Sequence, residues 1–409
     1  MWSKNALADQ RAAARWTAPM WPFESSDPLQ LPPEYALARQ SGDAVPVRLY
    51  DGRIAQLITK HALVTELLIH PDVSASPHLR GYPAPSIQSL RTKSGQRTLV
   101  RLDPPEHTAI RRAILPALSP AVVSSMRAYV EELSHLLVDR VLTQQRPEVV
   151  GDLADPLPLL VAAKWLGVPK NDASRLAESA KSWASLSGGK TAPETFQGAI
   201  DEYFKNRLER TKGEGWSETT AALLQNLEEY GVSADVHAQT LGHLFTSGLS
   251  TTSNTLALVF LALSRFHDQR ERLIGVASVD VPKAVEELLR FTCVPRHSAL
   301  RTATSNIEVG STVVREGHGV IASVAAANRD PMVFAGPNHL DLARSPNRHL
   351  TFGPGTHGCI GSTLARMQVT EVLRALRSHP LSTHPWSSAE VEHHMGTTVT
   401  VDRLVLRIG

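Results

Sequence analysis

The chain has 409 residues, 42% of them hydrophobic and 20% charged, with a formal net charge of +2. That balance gives ample core to enclose a cofactor, and it excludes a strongly basic nucleic-acid binder or a charge-driven membrane-surface protein. Two cysteines exclude a disulfide framework, and 27 prolines without low-complexity runs argue against disorder. The opening MWSKNALADQRAAARW lacks an apolar signal core, and no stretch reaches the length that spans a bilayer, so a cytoplasmic chain without a membrane segment is expected. Residues 1–45, rich in proline and tryptophan, read as an irregular N-terminal arm. AVPVRLYDGRIAQLITKH alternates apolar and polar residues about Asp51-Gly52, which predicts a β-hairpin. Helical periodicity dominates from about Pro104 to Arg290, including one long helix from about Asp235 to Phe266. A second β-rich stretch surrounds IEVGSTVVREGHGVIASV, and a last helix is predicted from about Ile360 to Arg377, stopping before Pro380. With no internal repeat and no clean linker, the chain reads as one mainly α domain over residues 1–409, with small separated β-sheets.

The segment RHLTFGPGTHGCIGSTLARMQ, residues 348–368, holds one of the two cysteines. Gly353, Gly355 and Gly361 permit backbone turns and close approaches that a side chain forbids. Cys359 lies at the start of the last helix, where unpaired amides and the helix dipole favour an anion. Thiolates act as metal ligands or nucleophiles. A zinc site needs further partners, whereas the other cysteine, Cys293, stands alone far upstream. A cysteine protease needs a histidine base, and His357 is poorly placed to turn back onto Cys359. One thiolate on a glycine-lined bed with a cationic neighbour suits the axial ligand of a haem iron.

Phe352-Gly353-x-Gly355-x-His357-x-Cys359-x-Gly361 resembles the haem-binding loop of the cytochrome P450 family. The resemblance implies the P450 fold, a single triangular-prism domain with haem b buried between the long central helix and the helix of the cysteine loop. It makes Cys359 the iron ligand, with Phe352, Gly353 and Gly361 shaping the loop. Glu287-x-x-Arg290 puts two charges on one helix face, by itself no more than an exposed ion pair. In the family such a pair is buried and joined by a later arginine, here Arg344 of LDLAR, in a structural role. DPPEHTAIRRAIL sets His107 and Arg111 at i,i+4, which on spacing alone is a solvated basic stripe. The resemblance makes both of them, with Arg301 and His357, partners of the haem propionates, and turns Arg112 to solvent. FTSGLSTTSNTLALVF, read plainly, is a packing glycine among back-bonding hydroxyls. Ser247–Thr252 within it resembles the family's oxygen groove, in which Gly248 opens the helix for dioxygen and Thr251 is the hydrogen-bonding hydroxyl. Ser250 departs from the pattern, because the family usually carries Asp or Glu there to relay protons.

A haem-thiolate monooxygenase is therefore expected, taking dioxygen, a small organic (secondary-metabolite) substrate, and electrons from a ferredoxin and ferredoxin reductase. It is expected to be a monomer that binds no nucleic acid. Ser250 keeps open a different haem-thiolate chemistry, namely nitration, nitric oxide reduction, peroxide use or oxidative coupling. A haem-binding sensor without turnover is the reading from another class, and Gly248 and Thr251 argue against it. Arg112, Arg344, Arg348 and Arg366 fall in segments expected to meet the electron donor. Between Asp72 and Asp103 there is no acidic residue, but there are Arg80, Arg91, Lys93, Arg97 and Arg101. That run is either a solvated basic loop or the anchor of a substrate carboxylate or carbonyl. Cys293 reads as a small buried hydrophobe.

Overall fold

The structure is a computed structural model that describes residues 16–94, 98–176, 192–211, 215–275, 279–297, 299–396 and 398–409. The chain packs as two compact units. The first contains the N-terminal part up to Arg91, Leu258–Cys359 and Glu392–Asp402, and the second contains Thr92–Ala257, Ile360–Val391 and Arg403–Gly409.

The first unit is built on a five-stranded sheet. Strands β1 (Val45–Arg48) and β2 (Ile54–Ile58) form the hairpin expected about Asp51-Gly52, with Gly52 at φ +83°. β3 (Val73–Ser74) and β4 (Leu300–Ala303) lie at the far side, β5 (Ile307–Val309) and β6 (Thr312–Val314) make a separate hairpin, and β7 (Gly319–Ala322) completes the main sheet. The order is β1-β2-β7-β4-β3, and β2 runs parallel to β7, with Ala55 opposite Gly319 and Ile58 opposite Ala322. Alternation sends Leu57, Leu300 and Ile321 to a core with Trp21, Phe23 and Tyr35, and sends Ile58, Val320 and Ala322 to another with Val64, Leu67 and Cys293. Cys293 is thus a buried packing residue, and burial pushes its thiol pKa up.

The N-terminal arm is less irregular than its composition implies. Residues 1–15 lie outside the described residues, but a helix occupies Glu34–Ser41 directly after Pro32-Pro33, burying Tyr35 and Ala38. Proline at a helix start needs no amide partner, so the same residue that reads as a breaker opens this helix. Trp21 and Leu29 are likewise fully covered, so the arm is part of the core.

The second unit is helical. Helix Ser362–Ser378 packs along Arg127–Leu142, and buried Glu371 accepts hydrogen bonds from Arg374 at 2.9 Å and from Arg127. Helix Pro156–Leu166 ends at Gly167, in the left-handed region at φ +69°, and a Cβ there would lie 2.5 Å from the Ser217 amide nitrogen. Ser217 in turn caps Glu218–Glu229, accepting from the Thr220 amide at 3.1 Å. The long helix runs Ala234–Arg265, and its residues up to Ala257 belong to this unit. The last two strands, β8 (Trp386–Met395) and β9 (Val399–Ile408), pair with each other.

Candidate active site

Cys359 is carried by a loop closed on its own backbone. The Cys359 amide donates to the Phe352 carbonyl at 2.7 Å, Gly353 donates to Leu350 at 2.8 Å, and Gly358 donates to Gly355 at 3.0 Å. Gly353 (φ +66°) and Gly355 (φ +76°) occupy the region that favours glycine, and a Cβ on Gly355 would lie 2.9 Å from the Leu68 carbonyl oxygen. The turn leaves Cys359 exposed and His357 half-buried, and Gly361 caps the helix that follows.

Helix Val281–Thr292 braces this loop. Thr351 donates its hydroxyl to the Leu289 carbonyl at 3.0 Å and accepts from the Asn328 amide at 2.9 Å, while the Leu350 amide donates to Asn328 at 2.7 Å. Below it, the fully buried Glu287 carboxylate accepts from Arg290 at 2.7 and 2.8 Å, and from Arg344, Asn347 and the Asp341 amide, each at 3.0 Å. Arg290 also donates to the Asn328 and Pro337 carbonyls. A buried carboxylate with five donors is fully satisfied, so its desolvation is offset. Arg344 is committed to this network and is not a docking cation. Arg301, buried on β4, donates to its own neighbour Leu300 at 2.8 Å.

The second unit carries the remaining candidates. Helix Glu106–Ile114 follows the tandem prolines, buries His107 (1% exposed), half-buries Arg111 and exposes Arg112. On the long helix, Ser247, Ser250 and Thr251 are exposed, whereas Thr252, Ser253 and Asn254 are buried. Thr251 donates its hydroxyl back to the Ser247 carbonyl at 2.8 Å. Asn254 donates to the Ser250 carbonyl at 2.7 Å and to the Ser250 hydroxyl oxygen at 3.2 Å. A Cβ on Gly248 would meet nothing within 4 Å, so the helix is open beside these hydroxyls. Back-bonding and an open polar face therefore coexist here. Asn254 was legible only as i,i+4 from Ser250, and Ser253, which donates to Asp155 at 2.5 Å, has a partner too far along the chain for spacing to reveal.

Of the basic run before Asp103, Arg97 lies outside the described residues, while Arg80 and Arg91 are exposed and Arg101 is half-buried. In the second unit, Arg127 and Arg366 line a surface cavity of about 320 Å³ together with Pro120, Val123, Thr363 and Met367. Among the described residues no single helix is long and apolar enough to cross a membrane.

The donor set fits a porphyrin iron. Among the described residues no group of three or more His, Cys, Asp or Glu side chains could hold a metal ion, so Cys359 suits a group that brings its other ligands with it. An added Cβ on Gly353 or on Gly361 would meet nothing within 4 Å, so the backbone at these two positions of the cysteine segment is unobstructed.

Comparison with known proteins bears on the same residues. The cytochrome P450 family model matches residues 281–386, the stretch holding Glu287, Arg290, Arg344 and Cys359. Cytochrome P450-SU2 of Streptomyces griseolus is 33% identical over 377 residues, covering 91% of this chain and 90% of that protein. The nocardicin C N-oxygenase of Nocardia uniformis subsp. tsuyamanensis is 33% identical over 360 residues, covering 87% and 89%. The crystal structure of CYP105N1 from Streptomyces coelicolor A3(2) superposes with a TM-score of 0.84 at 28% identity, covering 96% of this chain and 99% of that one. With a thiol on a glycine loop braced by a buried Glu-x-x-Arg network, and a sequence that matches such relatives over nearly its full length, one conclusion is left: the chain belongs to the cytochrome P450 family of haem-thiolate oxidoreductases.

Proposed function

We propose that this protein is a cytoplasmic, monomeric monooxygenase, one catalytic domain holding haem b, that oxidises a small organic secondary metabolite with electrons from a ferredoxin-type partner. The observation that carries the reading is Cys359, the one thiol presented on a glycine-lined loop and backed by the satisfied Glu287 network. Cys359 serves as the axial ligand. His107, Arg111, Arg301 and His357 neutralise the two haem carboxylates, and Phe352, Gly353 and Gly361 form the bed. When bound, the haem-thiolate supplies activation of dioxygen for insertion of one oxygen atom into the substrate.

The chain's own residues set the proton supply. Thr251 spends its proton on the Ser247 carbonyl, so it faces the groove as an acceptor until that bond opens. Ser250 accepts from Asn254 and keeps its own proton to donate, to water or to a substrate oxygen or nitrogen. A serine orders water but does not change charge near neutral pH. This observation favours a second reading, in which the substrate itself supplies the proton, or the reaction is a nitration, a nitric oxide reduction, a peroxide-driven oxidation or an oxidative coupling. The open groove at Gly248 and Thr251 disfavours a sensor without turnover. Reconstitution with a ferredoxin, its reductase and a library of small metabolites tests the proposal. Product carrying one atom of labelled dioxygen is expected, and turnover only with peroxide or nitric oxide would replace the first reading by the second.

A further inference from the structure

Three threonines of the long helix close their hydroxyls on the helix itself. Thr246 donates to the Gly242 carbonyl at 2.9 Å, Thr251 to Ser247 at 2.8 Å and Thr255 to Thr251 at 2.8 Å. Each is the back-bond to the carbonyl four residues earlier that helical hydroxyls favour. Ser250 has the same opportunity at the Thr246 carbonyl, and among the described residues it does not take it. Its oxygen instead accepts from the Asn254 amide at 3.2 Å, while the second amide proton goes to the Ser250 carbonyl at 2.7 Å. Ser247, Ser250, Thr251 and Asn254 share one stripe of the helix, and only Asn254, at 4% exposed, is buried.

Helical side chains lean toward the N-terminus, so the Asn254 amide lies over the turn that holds Ser250. Two buried N–H groups need acceptors, and Ser250 supplies both. A hydrogen bond onto the serine oxygen selects the rotamer that presents that oxygen to Asn254. With one lone pair taken there, the serine proton is turned away from Asn254, toward the exposed side that Ser250 shares with Thr251. A residue with a single hydroxyl proton at position 254 would spend it on the Ser250 carbonyl, as Thr251 and Thr255 spend theirs. Ser250 would then be released onto Thr246 and would face outward as an acceptor, like Thr251. We propose that Asn254 is a positioning residue, which withholds Ser250 from back-bonding and so makes its hydroxyl a hydrogen-bond donor to whatever occupies the groove beside Gly248 and Thr251. The proposal deepens the monooxygenase reading and rests on it, because it assigns a proton donor of the same site.

The test uses the holoenzyme without turnover, with carbon monoxide on the ferrous haem as the probe. A donor at the oxygen of the bound gas lowers the C–O stretching frequency, so loss of that donor raises it in the infrared spectrum. Ser250→Ala should raise the stretch. Asn254→Ser should raise it equally although Ser250 is intact, and the double variant should add nothing, as for two residues acting through one hydrogen bond. In crystals, the Ser250 oxygen should lie within hydrogen-bond distance of the Thr246 carbonyl in Asn254→Ser and not in wild type. Should Asn254→Ser fail to take up haem, Asn254→Thr carries the same comparison, because threonine back-bonds in the same way. A wild-type stretch in Asn254→Ser, an unchanged stretch in Ser250→Ala, or a Ser250 oxygen that keeps its place in the variant crystal overturns the proposal. Failure to oxygenate any metabolite defeats the monooxygenase reading without moving these spectra. Absence of any ferrous–CO complex defeats the haem reading, and this proposal with it.

Discussion

Ser250 and Thr251 present different chemistry although both are exposed hydroxyls on one helix. Thr251 has its proton engaged at 2.8 Å, while Ser250 receives the Asn254 amide at 3.2 Å and keeps its own. Thr251→Ala should consequently harm coupling less than it does where a carboxylate feeds the relay, and Ser250→Asp should raise oxygen consumption without abolishing it. Product per reducing equivalent for wild type and both variants decides this. A collapse in Thr251→Ala with Ser250→Asp inert would show that serine-ordered water already suffices. Cys359→Ala should lose haem on desalting, and any haem retained should lack the red-shifted ferrous–CO Soret band of thiolate ligation. Replacing Arg111 by Ala should loosen haem measurably, by about 1.5–3 kcal/mol if its contact is charge-assisted and desolvated, whereas exposed Arg112→Ala should not. Cys359 was legible because cysteine is scarce in this chain and glycine surrounds it. The Ser253–Asp155 bond was not, because its two residues are 98 positions apart and neither carries a signal until the fold brings them together.

At the level of elements, the Val281–Thr292 helix and the cysteine loop form one braced assembly whose weakest substitution point is Glu287. Its removal leaves Arg290, which is 0% exposed, and Arg344 with carbonyl acceptors but without their counter-charge. Glu287→Ala should cost about 3–5 kcal/mol, the scale of an uncompensated buried charge, and urea unfolding should show the loss even where haem is retained. A second brace ties β1 to the β5–β6 hairpin. Asp43 accepts from Lys60 at 2.6 Å, from the Ser311 amide at 2.8 Å and from its hydroxyl at 2.7 Å, and Lys60 foremost holds its carboxyl pKa down to about 2. Because the folded pKa is depressed, the stabilisation is present above the unfolded value near 3.8 and is lost as pH falls toward 2. The acid limb of the stability curve should therefore flatten in Lys60→Met, as followed by thermal unfolding between pH 5 and about 2. The hairpin at Asp51-Gly52 and the long helix were legible from alternation and periodicity. The short helix Glu34–Ser41 was not, since only Tyr35 and Ala38 are buried and prolines precede it.

For the molecule as a whole, the acidic ferredoxin proposed as donor would need a cationic landing surface. In the second unit, exposed Arg112 and the cavity edged by Arg127 and Arg366 present basic side chains, although Arg127 is paired with buried Glu371. Reduction by an acidic ferredoxin should slow as salt rises, since screening shortens the reach of such charges to about 8 Å at physiological ionic strength. Arg366→Gln should weaken that salt dependence in stopped-flow reduction, while salt-independent reduction would point to another electron source. The parallel pairing of β2 with β7 has a further bearing on biosynthesis. Residues 54–58 leave the ribosome long before residues 319–322, and both units draw on chain beyond residue 390. Neither unit is complete until chain beyond residue 390 has emerged, and the β2 edge facing β7 stays unmatched while the intervening chain is made. An unmatched strand edge is a template for pairing with another chain, so the interval before β7 is made is when this chain is most open to self-association.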